Sequence, residues 1–158
     1  MAISSDGFIA DANDNTPWTD DEALMFQNFL RTCDVVLLGR RTFELMTEQD
    51  EFVQGPEYMV VTDDPLLETD GLRKVSIASP LDMPEANVIG IIGGGELNGR
   101  LAEMGVIHEM ILDIEPVTLG GGTKLFGDHE VPLKLKLLSS RQIGKATIQR
   151  HYAILKHV

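Results

Sequence analysis

The sequence holds a single cysteine, Cys33, so no internal disulfide can staple the chain. A lone thiol suits a reducing compartment, and the cytoplasm is the expected location. Basic residues are also scarce: 13 Lys and Arg stand against 25 Asp and Glu, a net charge of −12. That balance argues against a broad nucleic-acid or anionic-membrane surface, because both need dense Lys/Arg patches. No apolar run approaches the roughly 20 residues of a membrane helix, and Met1 is not followed by the basic and apolar regions of a secretory signal. His108, His129, His151 and His157 lack metal-ligand spacing such as H-E-x-x-H, and no G-x-S-x-G elbow is present, so neither a metal nor a serine nucleophile is expected. Asp11, Asn13, Asn15 and Glu22 match four ligand positions of an EF-hand loop. Thr16 replaces the glycine that loop needs and no helix precedes Asp11, so calcium is not expected.

What is present reads as one globular domain over residues 1–158, with 43% hydrophobic and 24% charged residues. Short apolar segments alternate with helical patterns and glycine-rich turns, the arrangement of an α/β fold with a largely parallel sheet. Val35 to Leu38, Tyr58 to Val61, Val88 to Ile92 and Met110 to Ile114 read as buried strands. Leu133 to Leu138 and Ala146 to Leu155, about the Ile143-Gly144-Lys145 turn, read as a C-terminal antiparallel hairpin. Thr19 followed by Glu22 is a capping-box signature, and Phe26, Phe29, Leu30 and Cys33 recur at helical spacing, predicting a helix from about Asp20 to Thr32. A second helix should run from near Arg41 to before Gln49. A third should start within Gly93-Gly94-Gly95, bury Leu97, Leu101 and Met104, and stop at Gly105.

Two of these helices follow strands directly, and helix N-termini at strand ends are where open α/β folds bind phosphates. Gly93-Gly94-Gly95 could bring free backbone N–H groups close to a pyrophosphate, or could be a tight structural turn; Asn98 stands where G-x-G-x-x-G needs its last glycine. Leu38-Gly39-Arg40-Arg41-Thr42 repeats the pattern with two guanidinium groups and a hydroxyl added. Exposed arginines are commonly just solvated surface, but here they sit at the positive end of a helix dipole.

Taken in order, Ser5-Asp6-Gly7-Phe8-Ile9-Ala10, Pro17-Trp18, Leu38-Gly39-Arg40-Arg41-Thr42-Phe43, Ile92-Gly93-Gly94-Gly95-Glu96-Leu97 and Pro116 to Gly122 before Leu125-Phe126 resemble the dihydrofolate-reductase-like superfamily. That group includes the dihydrofolate reductases and the reductase domain of riboflavin biosynthesis. The resemblance implies a mixed, mostly parallel central sheet with flanking helices and a C-terminal hairpin. It implies an NADPH-dependent reductase acting on a pteridine-like or pyrimidine heterocycle. Cofactor contacts would fall to Gly39, Arg40, Arg41, Thr42, Thr62, Gly93, Gly94, Gly95, Glu96 and Leu97, and substrate contacts to Ile9, Trp18 and Phe26. A homodimer is implied as well. Met110-Ile111-Leu112-Asp113-Ile114 stands where true dihydrofolate reductases usually carry a threonine, and the glycine segments look closer to the pyrimidine reductases. A true dihydrofolate reductase and a non-catalytic nucleotide-binding module are the alternatives.

Helical spacing puts Glu22 on the same inward face as Phe26 and Phe29, where a carboxyl group could relay the proton that ring reduction needs. Equally, Glu22 could serve only to close the capping box on Thr19, with Asp21 the next catalytic candidate. Family members usually begin with a full apolar strand; only Met1-Ala2-Ile3 precedes Ser4, so either the natural start lies upstream or the short strand suffices.

Overall fold

The computed structural model describes residues 1–155. Its centre is the apolar run Val35–Gly39 (β3), which lies parallel between Glu57–Val61 (β4) and Ile89–Ile91 (β6); Arg73–Val75 (β5) extends the sheet beyond β4. A parallel strand covered on both faces is apolar throughout rather than alternating, and β3 obeys this. Val36 and Leu38 enter one core with Leu30, Phe43, Met46 and Val60; Val35 and Leu37 enter a second with Met59, Ile77, Leu97 and Leu101. Leu37 and Leu38 are fully buried, so truncating either to Ala costs about 2–5 kcal/mol.

Helices at Asp20–Thr32 (α1) and Arg40–Gln49 (α2) supply Leu30, Phe43 and Met46 to the first core, and Gly95–Glu103 (α3) supplies Leu97 and Leu101 to the second. Gly105, at φ +70°, follows the end of α3 in the left-handed conformation that glycine adopts without a Cβ penalty.

A second sheet runs in the order Ala2–Ser4 (β1), Glu109–Glu115 (β7), Thr147–Leu155 (β10), Lys134–Ile143 (β9), with β1 parallel to β7 and the rest antiparallel. Phe8–Ala10 (β2) and Thr123–Lys124 (β8) form a separate short ribbon. The main strands thus form two four-stranded blocks, one parallel and one mixed. β1 and β6 are edge strands, each unpaired on the side away from its neighbour. The hairpin of β9 and β10 turns at Gly144 and is longer than predicted, because β9 continues through the polar Ser139-Ser140-Arg141-Gln142. No described helix is long and apolar enough to cross a membrane.

Candidate active site

β3 and β6 end side by side, so the turns that follow them meet. Gly39 N–H donates to Gly93 O at 2.7 Å, and Ile92 N–H donates to Leu37 O at 3.1 Å. Gly39 is the N-cap of α2 and Gly94 the N-cap of α3, and neither helix start is capped by a side chain. Two sets of first-turn N–H groups, with the positive ends of two helix dipoles, therefore face one small region. Gly93 has φ +107°, and its bond to Gly94 is cis. A Cβ placed on Gly94 would lie 3.8 Å from Thr42 Oγ1, and one on Gly93 would lie 3.7 Å from it, so the Thr42 hydroxyl borders both glycines. Bare glycine backbone, free donors and a hydroxyl make a cradle of the kind that accepts phosphate oxygens.

The arginines at this cradle are already engaged. Arg40 pairs with Glu44 at 2.9 Å and Asp64 at 3.5 Å; Arg41 pairs with Asp14 at 3.0 Å and Glu44 at 3.5 Å. All are substantially exposed. Thr62, just after β4, donates its N–H to Val75 O and accepts the Asp64 N–H on its hydroxyl, which supports the carboxylate facing Arg40. Glu96 points outward to His129 at 3.1 Å, and Leu97 is buried in the second core. Within the predicted cofactor set the structure thus brings Gly39, Thr42, Gly93 and Gly94 together and puts Arg40 and Arg41 at the rim.

Glu22 is 4% exposed in the first turn of α1. The capping box expected there is half formed. Glu22 N–H donates to Thr19 Oγ1 at 3.3 Å, but the return bond is absent because Thr19 N–H goes to Glu115 Oε2 at 2.7 Å. The carboxyl group of Glu22 takes no part in the cap and is buried instead. Its pKa is pushed up to about 7, chiefly by burial, against the Met1 ammonium group and with smaller contributions from Asp113, Glu115 and Glu51. Burial lowers the pKa of that ammonium, while Asp113 and Glu22 support it. Asp21, in contrast, is exposed, and a Cβ on Gly144 would overlap its carboxylate. The second carboxylate beside Glu22 is Asp113, 4% exposed, which accepts from Gln149 Nε2 at 2.8 Å.

A cavity of about 890 Å³ lies between β6 and the stretch of β7 beyond its pairing with β1, walled by Phe26, Phe29, Ile89, Ile111, Asp113 and Phe126 among others. Phe26 is among its walls. Ile9 is buried on β2 and Trp18 half-buried ahead of α1, and neither is among its walls. A smaller cavity of about 470 Å³ separates the loop Asn13 to Pro17 from Arg41, Leu45 and Glu48 of α2. Among the described residues no group of three His, Cys, Asp or Glu side chains could hold a metal; His157 lies outside them.

Sequence reasoning missed Asp113, Glu115, Thr147 and Gln149. The available signal was the alternation Asp113 and Glu115 after the apolar run Met110-Ile111-Leu112, which places two acids on one face.

The family model of the RibD C-terminal domain matches residues 75–149. The uncharacterized protein YwjB of Bacillus subtilis is 30% identical over 167 residues, covering 96% of this chain and 94% of its own. The chain belongs to the dihydrofolate-reductase-like superfamily. A pyrimidine reductase-like protein from Corynebacterium diphtheriae superposes with TM-score 0.77 at 12% identity, covering 99% of this chain and 90% of that one. Dihydrofolate reductase from Enterococcus faecalis, solved with NADP(H), superposes with TM-score 0.76 at 18% identity over 98% and 94% of the two chains. At those identities the likeness is one of fold. The architecture matches that of both the pyrimidine reductase-like protein and the dihydrofolate reductase.

Proposed function

We propose that this chain is an NADPH-dependent reductase that transfers hydride to a pteridine-like or pyrimidine ring. The observation that carries the reading is the meeting of two helix N-termini without side-chain caps at Gly39 and Gly94, and the buried, proton-holding Glu22 on α1 supports it. NADPH, when bound, supplies the hydride. The cradle residues fit its phosphates: backbone N–H groups of both first turns, the Thr42 hydroxyl, and Arg40 and Arg41 at the rim.

The chain's own part in the chemistry is to orient and to manage a proton. Reduction of a ring C=N bond adds a proton to nitrogen as well as a hydride to carbon, and a carboxyl group with pKa near 7 can give that proton at neutral pH. Asp113 beside it suits a ring bearing amino groups, whose N–H donors need acceptors. Trp18 and the loop from Asp11 to Pro17 would close over the reaction and exclude water. The lack of a threonine in Met110-Ile111-Leu112-Asp113-Ile114 favours the pyrimidine-reductase branch over a true dihydrofolate reductase. The exposed leucines 135, 137 and 138 along the edge strand β9 support a homodimer through that face, and the single buried thiol of Cys33 supports a cytoplasmic setting.

The test is NADPH oxidation, followed by absorbance, against a panel of pterins, amino-pyrimidines and quinonoid acceptors. Turnover with one class establishes the reductase. Saturable NADPH binding without oxidation by any acceptor would mean a non-catalytic nucleotide-binding module instead.

A further inference from the structure

Glu115, the last residue of β7, is 1% exposed, and the chemistry above makes no use of it. Its Oε2 accepts Thr19 N–H at 2.7 Å, while Oε1 faces the Thr19 hydroxyl at 3.4 Å and is hydrogen-bonded to the Thr147 hydroxyl. The two hydroxyls lie 3.3 Å apart. One carboxylate thus ties β7, β10 and the N-cap of α1 together.

Two physical consequences meet at Glu22, three residues into the helix. Thr19 N–H is the donor that the Glu of a capping box would claim, and because Glu115 takes it, Glu22 is released from the cap. A negative charge buried nearby also opposes the ionisation of a second acid, more strongly than it would in water. The other charged groups that face Glu22 are the Met1 ammonium from β1, Asp113 from β7 and Glu51 from the segment after α2.

We propose that Glu115 is a positioning residue that frees Glu22 from the cap and adds to its proton affinity. The catalytic importance of this rests on Glu22 being the proton relay; the electrostatic effect itself does not. Glu115→Gln keeps an oxygen for Thr19 N–H and removes the charge. Thr147→Val keeps the charge and removes one hydroxyl.

The experiment is a pH titration of the Glu22 carboxyl carbon by NMR in the cofactor-free protein, with folding of each variant checked by thermal melting. The midpoint should move to lower pH by roughly half a unit or more in Glu115→Gln, since loss of a negative neighbour favours the ionised form. It should stay in place in Thr147→Val. An unmoved midpoint in a folded Glu115→Gln protein, or equal shifts in both variants, would overturn the proposal. The pH profile of turnover should move with the midpoint in Glu115→Gln. If Glu22→Gln leaves turnover intact, the relay reading fails alone, and the NMR result still decides the role of Glu115.

Discussion

Arg41 Nε donates to Asp14 Oδ2 at 3.0 Å, joining the first turn of α2 to the loop that precedes Trp18. Any phosphate reaching Arg41 must therefore displace a carboxylate. That pair is exposed and screened by solvent, and a phosphate offers the guanidinium group more acceptor oxygens and more negative charge than one carboxylate, so the exchange favours phosphate. Asp14→Asn should tighten NADPH binding by about two- to fivefold. Changing both Arg40 and Arg41 to Ala should weaken it by about tenfold or more, and discrimination against NADH should fall as well. Isothermal calorimetry checks both; unchanged affinity in the double variant removes the arginines from the site.

Glu22 makes stability depend on pH in a defined direction. Its pKa rises from 4.5 to about 7 on folding, so between those values the folded state holds a proton that the unfolded chain has lost. Stability contributed by this group is full below pH 4.5, falls as pH rises toward 7, and is level above it. Glu22→Gln removes the slope. The variant should melt like the parent near pH 4 and be more stable near pH 8, by on the order of 2–3 kcal/mol. Parallel melting curves across that range would contradict the buried acid.

Asp6 works the other way. Its carboxylate accepts from the Ser4 hydroxyl and the Leu119 and Gly120 N–H groups, which holds its pKa down to about 2. The tie it makes is present above pH 3.8 and lost as pH falls toward 2. Asp6→Asn should raise hydrogen exchange at Leu119 and Gly120 at neutral pH while leaving β3 amides protected.

The cavity between β6 and β7 has the form of a strand slot. Met1 N–H donates to Ile111 O and Asp113 N–H to Met1 O, so the β1 ladder already reaches its mouth. From Met1 the walls continue along β6 to Val88 and along β7 to Ile107. Five apolar residues fused ahead of Met1 should pair with both edges and raise the melting temperature, while five Gly/Ser residues should not. Equal melting temperatures would show that the slot does not take a strand.

β3, α1 and α3 were legible in the sequence because local pattern and burial agree there: an apolar run, a cap with helical spacing, and a glycine stop. β2, β5 and β8 have two or three residues each and exist through long-range pairing, so no local signal marks them. β9 was read short because it is an exposed edge whose outer half is polar. The glycine turns and Glu22 were found by spacing. The acceptor that takes Thr19 N–H could not be, since Glu115 comes from 96 positions away in the chain. The carboxylates facing Arg40 and Arg41 were likewise hidden, because Asp64 and Asp14 reach them from separate loops.

The central claim is that the turns at Gly39 and Gly94 form one cofactor cradle, and Gly94 tests it most directly. Its φ of −75° and ψ of −165° suit any L-residue, and an added Cβ would make only an ordinary 3.8 Å contact with Thr42 Oγ1. Gly94→Ala should thus fold normally while its methyl group occupies the space that phosphate oxygens need. The measurement is NADPH affinity by titration of Trp18 fluorescence, beside a thermal melt. An unchanged melting temperature with affinity weakened at least about tenfold, about 1.4 kcal/mol, is the predicted result. A folded Gly94→Ala protein that binds NADPH as tightly as the parent would contradict it.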